Sequence, residues 1–215
     1  DLLIEKNIPQ MNGIVDIPNR LSFDVEYYAK KLLAMTETEV GYLYPADDKG
    51  NKPIAYYWAR TATCSNPSCR AEVPLLKQFY LANTKSKKVY LNPIINGTDI
   101  QFEIKEGTCR LEGWNKTGNL TCPCCGSVTT SKQVKEQAWN SQLKEKLLII
   151  ISETPKGKIY ELPIHELIHP DIDIQGVNAP TERMTKKTDL IRSRGWGIKS
   201  WNQMFSNRQL KHIKT

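Results

Sequence analysis

The stretch "TCPCCGSV", residues 121–128, places three cysteines in four consecutive positions. A second group, "TCSNPSCRAEV", residues 63–73, lies about fifty residues upstream. Together they hold five of the six cysteines in the chain. Four residues separate Cys64 from Cys69, and two separate Cys122 from Cys125. Pro123 lies inside the second pair and Gly126 follows it. In a thiolate knuckle the chain turns back after the first cysteine, so that backbone N–H groups point at the sulfurs. A glycine just past the second cysteine eases the backbone angles this requires. Two such pairs supply four thiolates, the donor set of a closed tetrahedral zinc site. Cys64, Cys69, Cys122 and Cys125 are therefore the predicted ligands of a structural Zn²⁺. Cys124 is expected to point away from the metal, with substitution for a neighbouring ligand as its alternative. Cys109 is expected to be a free thiol.

Two other uses of the cysteines fit less well. A disulfide framework serves small secreted domains, whereas this chain has 215 residues and clusters its cysteines. Three Asn-x-Thr sequons, at Asn96, Asn115 and Asn119, are common by chance in a chain rich in Asn and Thr and do not restore a secreted reading. A redox Cys-x-x-Cys would not need the upstream pair.

Outward from the knuckles, the elements follow from periodicity and turn residues. Residues 1–20, with Pro9, Gly13 and Pro18, read as loop and extended chain. A helix is predicted from Ser22, because Val25, Tyr28, Leu32 and Met35 recur at helical spacing and Gly41 offers a stop. "IAYYWARTATC" is a strand running into the first knuckle. "EVPLLKQFYLA" and "KKVYLNPII" flank "NTKSK" as a hairpin, and the alternating "DIQFEIKEG" adds a strand. The metal thus closes a mainly β loop. The expected architecture is a ribbon of two short hairpins on one metal, with the intervening strands extending the sheet. "TSKQVKEQAWNSQL" is a helix opened by a Thr130–Gln133 capping box. "LLIIIS" and "KIYEL" form a hairpin around "ETPKG", residues 163–180 read as a linker, and "WNQMFSNRQLKHI" is helical in two pieces, with Ser206 and Gln209 as a second capping box. The fold class is α+β: an antiparallel β region centred on a zinc ribbon, with flanking helices. Its divisions are an N-terminal helical segment (1–50), the ribbon domain (51–130), a helix plus hairpin (131–162), and a linker with a basic helical tail (163–215).

Composition narrows the function. Hydrophobic residues make up 40% and charged residues 25%, as in globular domains. The longest aliphatic run, Leu147 to Ile151, is far too short to cross a bilayer, and no signal peptide opens the chain. No membrane association and a cytoplasmic location are expected. The chain starts at Asp1 rather than Met, which suggests a processed or excised segment. The formal charge of +7 sits entirely in residues 181–215, which hold nine Lys/Arg and two acids. Such a tail attracts polyanions, nucleic acid first.

Three motifs invite other functions. "HELIH", His165 to His169, fits the His-Glu-x-x-His of zinc peptidases, but Pro163 and Pro170 bracket it and no third ligand follows. Gly195-Trp196-Gly197 has no apolar strand before it, so a nucleotide loop is not supported. "NPII", residues 92–95, lacks the second proline and the aromatic of an amino-methylating motif and reads as a strand end.

The stretch from "EVGYLYPADDKGNKPIAYYWARTATC" to "KKVYLNP" resembles the central region of the large adenine-specific DNA methylases that contain a zinc ribbon. Many of these occur in anti-phage gene clusters. "YELPIHELI" and "RGWGIKSWNQMFSNRQLKHI" are similar to the segments after the ribbon. The likeness covers the chain from about Ser22 on, and "YYWARTATC" and "WNQMFSNRQL" are its most specific blocks. Arg70 departs from it, standing where the family commonly has Gly. The resemblance implies a parent enzyme with a glycine-rich S-adenosylmethionine loop before this region and an Asp-Pro-Pro-Tyr motif after it. Neither motif occurs here, so S-adenosylmethionine is expected only in the full-length parent and no catalytic residue can be assigned. The expected partners are double-stranded DNA and the rest of the methyltransferase chain. Lys85, Lys87 and Lys88 on the hairpin tip, with Arg183, Lys186, Lys187, Arg192 and Arg194, are the candidates for phosphate contact. The alternative is a structural or protein-interaction ribbon whose lysines serve solubility.

Overall fold

The computed structural model describes residues 2, 6, 8, 10, 11, 14–163, 172–184 and 196–214. A short hairpin, β1 (Gln10–Met11) and β2 (Ile14–Val15), precedes helix α1 (Arg20–Val40). The helix starts two residues before the predicted Ser22, because the Asn19 side chain accepts the Ser22 N–H and caps it (3.0 Å). Gly41 does not stop it through a left-handed turn. It keeps a right-handed conformation (φ −58°) and leads into a 3-10 turn, Gly41–Leu43. Val25, Tyr28, Leu32 and Met35, whose spacing predicts the helix, are exposed, and only Thr36 and Val40 of the helix are buried. The reason is local: the helix is anchored at its C-terminal end, where Val40, Leu43 and Ile172 form a small cluster of their own beside Tyr44.

The main sheet is antiparallel, in the order β12 (Gly157–Glu161), β11 (Lys144–Thr154), β3 (Pro53–Thr63), β4 (Glu72–Pro74). Residues Leu147 to Ser152 of β11 are all buried. A strand covered on both faces reads as a continuous apolar run rather than an alternation, which is what "LLIII" provides. The segment between the cysteine pairs forms a second sheet, β5 (Tyr80–Asn83), β6 (Lys88–Asn96) and β7 (Asp99–Glu106), instead of extending the first. β4 ends at Pro74, which has no N–H to carry the ladder on. "NPII" lies inside β6, where Pro93 pairs with Phe102, and not at a strand end. The third sheet, β8 (Asn115–Lys116), β9 (Asn119–Thr121) and β10 (Val128–Thr129), carries the second knuckle.

Helix α2 (Ser131–Trp139) opens with the Thr130–Gln133 capping box. It buries Val134 against the sheets. Its Gln137 side chain accepts the Thr63 N–H and donates to the Thr63 carbonyl, each at 2.8 Å. The amide thereby acts as one more paired residue at the end of β3. A 3-10 turn, Trp201–Met204, and helix α3 (Asn207–Lys214) close the chain, with Ser206 and Gln209 in the predicted reciprocal cap. One core gathers Val73, Phe79, Leu91, Phe102 and Leu120 with Val134, Ile149 and Ile151. It takes residues from both sides of position 130, as the main sheet does. No helix among the described residues is long and apolar enough to cross a membrane. "HELIH" lies outside the described residues.

Candidate metal centre

Each knuckle is the tip of an antiparallel hairpin. The first joins β3 to β4 beyond the Thr63–Glu72 pair; the second joins β9 to β10 beyond Thr121–Val128. Backbone hydrogen bonds shape both turns. Cys64 N–H donates to the Ala71 carbonyl (2.8 Å), and Cys69 and Arg70 both donate to Asn66 (3.1 Å). In the second, Cys122 N–H donates to Ser127 (2.9 Å) and Gly126 N–H to Cys122 (2.8 Å). The tips are also tied to each other without the sulfurs: Ser65 N–H donates to Thr129 Oγ1 (2.9 Å), and Asn66 Nδ2 reaches Ser127 Oγ (3.4 Å).

These turns bring together the four sulfurs of Cys64, Cys69, Cys122 and Cys125, all within 4.8 Å of one another. Cys64 Sγ lies 3.7 Å from Cys125 Sγ, and Cys69 Sγ lies 3.8 Å from Cys122 Sγ. A regular tetrahedron with Zn–S bonds of about 2.3 Å has edges of about 3.8 Å. The cluster can hold a metal ion, and its spacing fits one of that radius. None of the six cysteines is in a disulfide. The thiols are prepared unequally. Hydrogen bonds from the Ser127 hydroxyl and N–H pull Cys125 down to about 6, whereas burial pushes Cys64 up to about 12. A cation must therefore displace a tightly held proton at Cys64, so metal loading weakens as pH falls. Cys124 is outside the four-sulfur group and packs against the core; burial, then the neighbouring thiols, raises it to about 11. Cys109 is also a free, half-buried thiol, its N–H donating to the Tyr80 hydroxyl at 2.8 Å.

The residue after each pair is left-handed: Arg70 at φ 54° and Gly126 at φ 75°. Glycine takes that conformation freely, but a residue with a Cβ is strained there. The departure from glycine at Arg70 therefore strains the first turn without opening it. Arg70 is exposed. Arg70→Gly is expected to stabilise the metal-loaded protein by about 0.5–1 kcal/mol, the relief of strain less the extra freedom of the unfolded chain. Thermal denaturation checks this; a lower melting temperature would contradict it.

The basic candidates are placed apart from the sulfurs. Lys85, Lys87 and Lys88 are exposed at the turn between β5 and β6. Lys87 is partly committed: its ammonium donates to the Lys158 carbonyl (2.8 Å) and sits 5.2 Å from the Tyr160 ring centre. Arg183 is exposed and forms an isolated bridge with Ser200. Lys186, Lys187, Arg192 and Arg194 lie outside the described residues.

Cysteine spacing did not point to a second concavity, a cleft of about 850 Å³ lined by Tyr44, Tyr56, Trp58 and Arg60 on one side and by residues 203–209 on the other. The available signal was the alternation Tyr56, Trp58, Arg60, which puts three large side chains on one face of β3. Gly197 of the Gly-x-Gly motif serves packing: a Cβ there would lie 2.2 Å from the Ala138 carbonyl oxygen. No family model matches this chain, and neither a curated protein nor a solved structure matches it.

Proposed function

We propose that this chain is the zinc-binding, DNA-contacting segment of an S-adenosylmethionine-dependent adenine-N6 DNA methyltransferase, of the restriction-modification or phage-defence kind, and that it lacks the cofactor and catalytic motifs. The observation that carries the metal half of this reading is the four-sulfur cluster at the tips of two facing hairpins, with edges of 3.7 and 3.8 Å. Four thiolates are a soft donor set and leave no open coordination position, so the ion is structural Zn²⁺ rather than a catalytic centre. The methyltransferase half rests on the sequence resemblance. Methylating adenine N6 requires the base to leave the stack, and another part of the enzyme must hold the duplex meanwhile. A ribbon stapled by metal presents a rigid edge for that task. The exposed lysines of the β5–β6 turn and the basic stretch from Arg183 to Arg194 supply the phosphate contacts.

The zinc-loaded chain is expected to bind duplex DNA with an affinity that falls steeply with salt. Each phosphate contact contributes about −0.9 to the slope of log K against log salt. Replacing Lys85 and Lys88 by Ala is expected to weaken binding to all sequences and to flatten the slope by about 1–2. Absence of binding at low salt by the folded, zinc-loaded chain would remove the DNA-contacting role. The tie between Lys87 and β12 favours a second reading, a structural or protein-interaction ribbon, which would retain zinc and show no DNA affinity.

A further inference from the structure

Two stretches, "YYWARTATC" and "WNQMFSNRQL", lie about 140 residues apart and meet across one cleft. Tyr56, Trp58 and Arg60 come from the first; Gln203 to Gln209 come from the second. We infer that this cleft is a binding site for a nucleotide unit, a planar heteroaromatic base carrying a phosphate.

Three observations support the assignment. The first is an aromatic platform. Trp58 is 40% exposed on the strand, and Phe205 is similarly open on the opposite wall. A base stacks on such rings with little regard for its identity. The second is a lining of fixed positive charge and spare amide donors. Arg208, 7% exposed as a residue, holds its guanidinium between the rings of Tyr44 (5.3 Å) and Tyr56 (4.8 Å). Arg60 donates one of its N–H groups to the Trp196 carbonyl (2.7 Å), and a guanidinium carries five. Gln203 and Gln209 use their carbonyl oxygens to accept the N–H groups of Lys199 and Ser206, which leaves each amide NH₂ as a donor. Lys144 also lines the cleft, its ammonium paired with Glu72 at 2.7 Å, and Glu145 is the one acid among the described residues of the lining. The third is the Tyr56 hydroxyl, which is buried, faces the Arg208 guanidinium and makes no hydrogen bond of good geometry among the described residues. Buried polar groups are nearly always satisfied, so one left open beside a cleft points to a ligand atom. The volume of about 850 Å³ is within the range of small-ligand sites.

The inference does not depend on the proposed lysine contacts: the β5–β6 turn can fail to touch DNA while the cleft still takes a nucleotide. The source is either a free mononucleotide or an unpaired nucleotide of a strand. The test is to titrate the zinc-loaded chain with adenosine monophosphate and, separately, with a short single-stranded oligo(dA), by calorimetry and tryptophan fluorescence. Saturable binding with quenching is expected for at least one of the two. Mononucleotide alone identifies the free ligand; oligonucleotide alone identifies the strand. Trp58→Ala is expected to weaken binding about tenfold or more. Asn207→Asp is the second variant. Asn207 is the first residue of α3, where a carboxylate favours the helix while repelling an anion in the cleft. It is expected to keep the fold and zinc content and to weaken binding. Failure of both ligands to bind at millimolar concentration to the folded, zinc-loaded chain would overturn the inference. So would unchanged affinity in Trp58→Ala.

Discussion

Removing the metal is expected to lower the melting temperature of this protein by about 10–20 °C. The chain should hold one zinc, and a strong chelator or Cys64→Ser should release it. The magnitude follows from what the ion holds. The β9–β10 hairpin has only two paired positions, Thr121–Val128 and Leu120–Thr129, too few to persist alone in water. Its attachment to the β3–β4 tip beyond the sulfurs is a pair of hydrogen-bonded contacts, Ser65 to Thr129 and Asn66 to Ser127. Four-thiolate zinc sites carry apparent binding energies of about 10–16 kcal/mol in small domains. Part of that is recovered here because the core can hold without the ion. A net loss of about 5 kcal/mol, at about 2–4 °C per kcal/mol for a chain of this size, gives the quoted shift. Acidification should have the same effect, since protons compete with the metal for the sulfurs. Cys109→Ser and Cys124→Ser serve as controls and are expected to keep the zinc, because neither belongs to the four-sulfur group. Loss of zinc from Cys124→Ser would place that thiol in the coordination shell. A metal-free wild-type protein with an unchanged melting temperature would refute the site.

Gly197→Ala is expected to destabilise the protein by about 2–4 kcal/mol. Two independent penalties fall on this position. Its φ of 86° is one that L side chains rarely adopt, and an added Cβ would sit 2.2 Å from the Ala138 carbonyl oxygen and 2.5 Å from its carbon. Both are backbone atoms of α2, whose neighbouring turns are fixed by Val134 in the core and by Gln137 on Thr63, so the clash cannot be relieved by a rotamer change. The chain around Trp196 must then lift away. That removes the Arg60 bond to the Trp196 carbonyl and the position of the Lys135 ammonium, 5.5 Å from the Trp196 ring. Denaturant unfolding and red-shifted tryptophan emission in the native state would record it. A variant as stable as the wild type would mean that residues 196–204 do not pack on α2.

Signals local in sequence were legible. Both capping boxes, Thr130–Gln133 and Ser206–Gln209, form as spaced, because a reciprocal cap needs only four residues in the right order. The β5–β6 and β11–β12 hairpins and the cysteine pairs follow from the same kind of short-range information. What was not legible depends on distant partners. Nothing near "LLIIIS" says that β11 pairs with β3, and nothing near Gln137 says that its amide will meet the Thr63 backbone. The periodicity of α1 describes a helix correctly but not its surroundings: the pattern of Val25, Tyr28, Leu32 and Met35 is compatible with a core face, and the described core lies elsewhere. The cleft was invisible for the same reason, as its walls come from the two ends of the chain.

The pairing of Thr61 with Lys144 has a consequence for how this architecture can be handled. Everything from Ala62 to Leu143 departs from one point of a two-stranded ladder and returns to the residue facing it. The part that carries the four-sulfur cluster is thus a cassette with adjoining ends; a two-residue turn in its place would keep β3 joined to β11 but would uncover Ile149 and Ile151, which share the cassette's core. Conversely, the cassette could be spliced into another antiparallel ladder whose facing strands offer the same spacing.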